Sequence, residues 1–435
     1  MTPALPAASA YPSLRLPADA TALTKNVPNY PGNGGHIITG PTAVCGAQPG
    51  DVLKIEILSL SPRKNPLTGK AYGVNGQNGP YIPLNTKNAD GTNATTAGSS
   101  IVYEVDYDEY GGWGYPVYGF FSAPIIPPDN GTNTAGAITP HKVNYGIKTS
   151  ADSTGFDPVT YPPGFQSTLN SSTDLQYMNA SFQYRIPLRP FLGTIGVTPS
   201  NAANYINGAP NGTLGAATTA PSRFGGNMDN WRVGAGSTLY VRVEVPGANF
   251  FFGDCHTAQG DSEISGTAIE TSLTAVYRLT TLPAATLPAA LQNLSFPILE
   301  TADAIDIQGF ALNNYLDELP VPSQIATAGG RSVDAALAHA YQNVRDFLVK
   351  GFAMQEREAL SLISTGVDFG VTQVVDSNFG VHANLRKSIF SAKPATTPAG
   401  LFTGPASRKL KGQGGEVEEE AMDLLSLLKR FEAKK

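Results

Sequence analysis

Residues 225–270 read GGNMDNWRVGAGSTLYVRVEVPGANFFFGDCHTAQGDSEISGTAIE, and this stretch sets the fold. It divides into a polar glycine-rich turn, a strand, a second polar cluster and another strand. From Leu239 to Val245 the chain alternates, with Leu239, Val241, Val243 and Val245 on one face and Tyr240, Arg242 and Glu244 on the other. A period of two is that of a half-buried β-strand. Pro246-Gly247 then interrupts the ladder, because proline lacks a backbone donor and glycine permits a sharp bend.

The next segment is chemically dense. Asp254, His256, Gln259, Asp261 and Glu263 follow one another closely, with Gly253 and Gly260 as hinges. In extended backbone, residues i and i+2 point to the same side. Asp254 and His256 therefore share a face, as do Asp261 and Glu263, and a bend at Gly260 folds the second pair toward the first. One imidazole among carboxylates suits a divalent cation, Zn²⁺ if nitrogen dominates and Ca²⁺ or Mn²⁺ if oxygen does. An ordinary hydrogen-bonded turn of Asp, Gly and Ser is the competing reading.

The run PGANFFFGDCHTAQGDSEISGTAIE resembles the acetamidase/formamidase family of amide hydrolases. The resemblance rests on Gly253, Asp254, His256, Gln259, Gly260, Asp261 and Glu263, then Ala268 to Glu270, with the turn from Gly225 to Asp229 ahead of them. Further matches are His36 in HIITGP, the Gly46 to Asp51 turn, and the Gly-Thr-Ile-Gly core at Gly193 to Gly196. The similarity spans Gly35 to Phe390. It implies a jelly-roll-like β-sandwich and a metal-dependent hydrolysis of small amides. Asp254 and His256 are then the expected ligands, with His36 and Asp229 as further ones. Glu263 is the expected general base, Asp261 a ligand or orienter, and Gln259 a third catalytic residue. Backbone amides at Gly193, Thr194 and Gly196 are expected to approach a substrate carbonyl. Cys255, Thr257 and Ser262 depart from the family's residues at their positions. The family also tends to carry a β-rich segment ahead of His36, whereas residues 1–35 read here as an irregular Pro- and Ala-rich arm.

Composition bounds the rest. The 435 residues are enough for a sizeable core, and 46 Gly with 34 Pro favour turns and short strands over long helices. A net charge of −6 argues against nucleic acid as a partner. No apolar run reaches the roughly 20 residues needed to span a bilayer. Two cysteines, Cys45 and Cys255, fit a reducing compartment, with Cys45 expected to pack among small apolar residues. No secretory signal is legible, so the cytoplasm is the expected location. The sequons at Asn93, Asn130, Asn170 and Asn179 then carry little weight.

Leu53, Ile55 and Ile57 predict a strand after the Pro49-Gly50-Asp51 turn, and Leu273, Ala275 and Tyr277 predict another. Residues 72–184 read as a Gly-, Asn- and Tyr-rich insertion that shapes a pocket mouth, a subunit contact or a sheet edge. Ser332 caps a helix to Lys350 with Gly351 as its stop, presenting Ala335, Leu337 or Ala338, Tyr341 and Phe347. A second helix runs from Gln355 to about Thr365, and His339 in the first is structural. Asp368, Gln373, Asp376 and His382 form a polar set that supports the site. Residues 393–415 read as a linker and 416–435 as an amphipathic helix whose stripe is Leu424, Leu425, Leu427, Leu428 and Phe431.

The expected protein is therefore mainly β, with an α/β portion toward the C-terminus and a short terminal helix around a catalytic body of residues 36–392. It is expected to be a homo-oligomeric amide hydrolase acting on formamide or acetamide through a divalent metal, zinc first. A larger amide or lactam as substrate, or a non-catalytic metal-stabilised binding sandwich, are the alternatives.

Overall fold

The computed structural model describes residues 36–65, 69–77, 99–108, 111–121, 141–143, 185–200, 216–292, 294–320, 325, 327–390 and 423–432. The arm, the linker, the four sequons and most of the 72–184 insertion lie outside them. Two antiparallel sheets carry the body. The first half of the chain provides β1 (Ile38–Thr42), β2 (Val52–Pro62), β3 (Ala71–Gln77), β4 (Ser99–Asp108), β5 (Gly111–Phe121), β6 (His141–Val143), β7 (Ile186–Pro187) and β8 (Phe191–Gly196). There follow β9 (Gly225–Asn227), β10 (Thr238–Arg242), β11 (Phe250–His256), β12 (Glu270–Thr271), β13 (Leu273–Leu282), β14 (Ile298–Glu300) and β15 (Ala304–Phe310). Helices α1 (Tyr315–Glu318), α2 (Val333–Gly351) and α3 (Glu356–Gly366) precede β16 (Val367–Gln373), β17 (Gly380–Arg386) and the terminal α4 (Leu424–Glu432).

The first sheet runs β6-β5-β4-β3-β12-β11-β8-β9, with β1 beside β11 and β7 beside β5. The described strands between residues 71 and 121 thus extend this sheet outward from β12. The second sheet runs β13-β2-β10-β14-β15-β17-β16. In β10, Leu239 and Val241 pack with Leu53, Ile55 and Ile57 in the core between the sheets. The alternation also predicted a solvated face carrying Tyr240, and there the structure differs. Tyr240 is fully buried, and β10 ends at Arg242. Its ring joins Val52, Ile298, Ile305 and Ile307 in a second core beneath the helices, while its hydroxyl donates to Glu300 Oε2 at 2.8 Å. A polar tip on an apolar ring let a doubly covered strand read as half-covered. β13, at the sheet edge, does alternate, with Leu273, Ala275, Tyr277 and Leu279 turned inward.

Ser332 caps α2 by accepting from the Ala335 amide at 3.1 Å, and the helix lies on β15 and β17. Its buried face is Ala336, Ala340, Val344, Phe347 and Leu348, whereas Leu337 and Tyr341 are exposed. The face is rotated because Ala336 and Ala340 sit over Gly309, where a larger contact would not fit. Gln355 and Glu358 form a capping box at the start of α3. His339 Nδ1 lies 2.7 Å from the Phe310 carbonyl, a structural bond. Helix α4 buries Leu424, Leu427 and Leu428 against the same outer core. Its first amide, Leu424 N, donates to Glu300 Oε1 at 2.6 Å, and Asp423 caps it through Ser426 N. Among the described residues no helix is long and apolar enough to cross a membrane. Cys45 is exposed rather than packed, because it sits in the turn after β1, whose Val44 and Ala47 turn toward the core instead.

Gly309 gives a direct test of this packing. A β-carbon there would stand 2.5 Å from Ala340 Cα and 2.7 Å from the Ala336 carbonyl, both helix backbone. Gly309→Ala is expected to destabilise the protein by ~2 kcal/mol, an overpacking cost, read as a lower urea midpoint. An unchanged midpoint would show that α2 is not seated as described.

Candidate active site

The site forms where β11 changes neighbours. Along one edge, β11 pairs first with β1, Gly253 opposite Ile38, and then with β12, His256 opposite Glu270. Asp254 lies at the change and takes a left-handed backbone, φ 46°. His36, two residues before β1's first partner, and Glu270 therefore reach the same spot from two sides. His36 Nε2 lies 3.4 Å from Asp254 Oδ2, while its Nδ1 is 2.9 Å from the Thr218 carbonyl. His256 Nε2 lies 3.4 Å from Asp254 Oδ1 and 3.1 Å from Glu270 Oε1. Its other nitrogen, Nδ1, is 3.6 Å from Asp229 Oδ1.

Two pairs of acids thus flank one imidazole. Asp254 and Glu270 stand on the Nε2 side. Asp229 stands on the Nδ1 side, and Glu263 completes the second set. Within each set the possible ligand atoms lie within 4.8 Å of one another. Asp376, from the β16–β17 turn of the second sheet, is buried beside Asp229. Burial and mutual repulsion dictate the charges. Burial, reinforced by Asp254, raises Asp229, and burial with Asp229 raises Glu263 well above the carboxylate range. Asp376 rises well above it for the same reasons, burial first and then Asp229 and Glu263. Burial alone would lower His256, but Glu270 and Asp254 outweigh it and hold the ring well above an ordinary histidine. Burial also opposes the ionised form of Asp254, yet His36 and His256 hold it below the usual range.

Asp229 Oδ1, Glu263 Oε2 and Gln259 Oε1 are buried without a hydrogen-bond partner, and the His256 ring nitrogens face carboxylate oxygens at 3.1–3.6 Å without well-aligned hydrogen bonds. Unpartnered buried polar atoms are costly, and in this number they mark a place for a ligand. Imidazole nitrogen with carboxylate oxygen is a donor set that accepts zinc or manganese. The residues present therefore fit a divalent cation.

The sequence-predicted residues divide. His36, Asp229, Asp254, His256 and Glu263 come together, and Gln259 joins them by donating from Nε2 to the Asp229 carbonyl at 2.6 Å. Asp261 does not. It turns outward to Trp231 Nε1 at 2.8 Å and Arg232 at 3.0 Å, because Ser262 (φ 83°) and Glu263 (φ 46°) are left-handed and the extended i, i+2 rule fails. Gly193 is pressed against the cluster: a β-carbon would fall on Asp229 Oδ1, 2.7 Å from the Asp254 carbonyl and 2.9 Å from His256 Cε1. Its carbonyl accepts from the Met228 and Asp229 amides. Thr194 bonds Asn227, which donates to Asp229 Oδ2 at 2.9 Å. Gly196 lies farther along β8, where a β-carbon would meet Phe224, Gly226 and Phe251 rather than a cluster residue. Of the supporting polar set, Gln373 and His382 are buried, Asp376 joins the cluster, and Asp368 is an exposed partner of Arg386. Sequence reasoning missed Glu270 and Asn227 as functional groups. Both stood in the quoted motifs, and only pairing across the sheet shows what they face.

A two-sheet sandwich holding a buried imidazole between two pairs of acids defines the class. Residues 21–392 match the Acetamidase/Formamidase family, and the chain belongs to that family. It is 27% identical over 244 residues to an acetamidase of Mycolicibacterium smegmatis, covering 53% of this chain and 49% of that protein. The chain thus spans about half the length of the curated relative it matches. An acetamidase structure from Yersinia enterocolitica shares the fold, with a TM-score of 0.50 and 20% identity over 82% of this chain and 75% of that one.

Beside the cluster, Asp306 provides a pH test. It is fully buried with Arg232 Nε at 3.4 Å and Asn384 Nδ2 at 2.5 Å, and burial outweighs Arg232 to push its pKa from 3.8 up to about 6. A raised carboxyl contributes stability that is present below its unfolded pKa and lost as pH rises through the folded one. The stability of Asp306→Asn relative to the parent is therefore expected to rise between pH 4 and pH 7 by on the order of 2–3 kcal/mol. Urea unfolding at both pH values checks it, and a pH-independent difference would contradict the linkage.

Proposed function

We propose that this protein hydrolyses a small linear amide of the formamide or acetamide type to ammonia and a carboxylate. The observation that carries the reading is the buried cluster itself. Acidic groups outnumber the imidazoles, and oxygen atoms on Asp229 and Glu263 stand without hydrogen-bond partners. Asp254, His256 and Glu270 would hold a divalent cation, zinc by preference, with His36 alongside and Asp229 on the opposite ring nitrogen. A bound divalent cation supplies Lewis acidity, polarising an amide carbonyl and making water a better nucleophile near neutral pH.

The chain's own groups supply the rest. An amide resists hydrolysis because its nitrogen leaves poorly unless protonated. Glu263 is buried beside His256 and Asp229 with Oε2 unpartnered, so in its ionised form it can take a proton from the attacking water and hand it to the departing nitrogen. Gln259 Oε1 offers an acceptor for the amide N–H₂, while its Nε2 is anchored on the Asp229 carbonyl. The Thr194–Asn227 pair fixes Asp229, and Gly193 leaves the space that a side chain would fill. The most exposed members of the cluster are Glu270 at 18% and His36 at 11%, so substrate enters on their side and a small one is favoured. The same donors could serve a closed structural metal shell, but the unpartnered Gln259 and Glu263 oxygens favour turnover.

Ammonia release from formamide and acetamide is the test. Turnover is expected in metal-replete protein, to be lost on chelation and to return when zinc or manganese is restored. Glu263→Gln is expected to keep the bound cation, measured by elemental analysis, and to lose about 10²–10⁴-fold in kcat. Metal-replete protein that releases no ammonia from either amide would refute the small-amide reading, and a chelator that lowers only the melting temperature would favour the structural shell.

A further inference from the structure

Glu263 is placed by a turn whose support lies outside the cluster. Residues Gln259 to Gly266 form a tight loop, closed by Glu263 N to the Gly260 carbonyl at 3.2 Å and Gly266 N to the Glu263 carbonyl at 3.0 Å. On one side the second sheet grips it: Ser262 N donates to Thr372 O at 3.0 Å, and Val374 N donates to Ser262 O at 3.1 Å. On the other side stand Arg189, Trp231 and Arg232. The two guanidinium carbons lie 3.7 and 4.2 Å from the Trp231 ring centroid, stacked as cation–π pairs. Arg189 donates to the Gln259 carbonyl at 2.8 Å. Trp231 Nε1 donates to Asp261 Oδ1 at 2.8 Å, and Arg232 grips both oxygens of Asp261 at 3.0 and 3.2 Å. Arg232 is itself tied to the second sheet, with Nε 3.4 Å from Asp306.

Beyond this assembly lies a cavity of about 400 Å³, walled also by Tyr107, Leu188, Pro190, Gly234, Thr301 and Asn384. The stack is therefore the outer wall of the turn, with open space behind it. We infer that Arg189, Trp231, Arg232 and Asp261 form a positioning brace that clamps both ends of the Gln259–Asp261 segment and so fixes where Glu263 enters the cluster. The side-chain hydrogen bonds of these four run to one another and to the Gln259 backbone carbonyl, not to a carboxylate or imidazole of the cluster. Asp261 thus acts on the reaction through the backbone it holds, not as a ligand. The inference rests on the hydrolase reading for its kinetic consequence, but the clamp itself does not.

Hydrogen exchange and kinetics together test it in the full-length, metal-replete protein. Asp261→Ala removes the carboxylate, Asp261→Asn retains one acceptor for Trp231 Nε1, and Trp231→Phe keeps the ring but loses the N–H donor. Each is expected to speed amide exchange in residues 259–266 while leaving β2 and β10 unchanged, with Asp261→Asn milder than Asp261→Ala. On formamide or acetamide, kcat is expected to fall about tenfold with KM within twofold, because misplacement affects the reacting group rather than substrate capture. Should Asp261→Ala fail to fold, Trp231→Phe decides. Unchanged exchange in the loop overturns the brace. Faster exchange with undiminished kcat overturns its positioning role. If the parent protein hydrolyses neither amide, the hydrolase reading fails, and the exchange result alone still decides the clamp.

Discussion

Everything in this structure turns on a fully buried imidazole with carboxylates on both of its nitrogens. His256 is 1% exposed and lies within 3.1–3.6 Å of Glu270, Asp254 and Asp229. Charges removed from water attract and repel far more strongly than at a surface, so such a cluster persists only if the backbone holds it rigidly. The apolar cores do that work. Phe191 packs edge-on to the His256 ring at 4.8 Å, and the sheet-to-sheet core of Leu192, Ile195, Leu239 and Phe251 fixes β8 and β11 behind it.

Local backbone geometry then aims the acids. Asp229, Asp254 and Glu263 all have positive φ, a conformation that costs side-chain-bearing residues energy. All three lie at the cluster, and their strain is balanced by hydrogen bonds from flanking groups: Asn227 for Asp229, the loop closure for Glu263. The sandwich supplies rigidity and the irregular residues supply direction. The helical layer stands apart from this chemistry. It covers the far face of the second sheet, and α4 seals that layer by donating its first amide to the buried Glu300 carboxylate.

Much of the site was legible in the residues. The density of Asp254, His256, Gln259 and Glu263 within one short run announced a charged pocket, and the matching of His36 and Asp229 to family motifs placed distant segments beside it. The reading failed where it assumed straight backbone. Asp261 and Glu263 were assigned one face by the rule for extended chain, and two left-handed residues send them opposite ways. Tyr240 was assigned to solvent because it alternates with valines, and a layer of helices far along the chain covers it instead. Ala336 and Ala340, rather than Leu337 and Tyr341, face the sheet because Gly309 admits only small neighbours.

By itself the sequence determined the mainly β character, the strand periods, the capped helices after Ser332 and Gln355, and the inventory of acid and imidazole groups. These are local properties, written in periodicity, turn residues and composition. Only the tertiary structure decided that Glu270 meets His256, that Asp376 arrives from the other sheet, and that Asp261 belongs to an Arg–Trp–Arg stack. Each depends on which strand lies beside which and on the sign of φ at single residues. Such contacts are set by packing across 14 to 147 positions of chain, from His256 to Glu270 and from Asp229 to Asp376, and no local pattern encodes them.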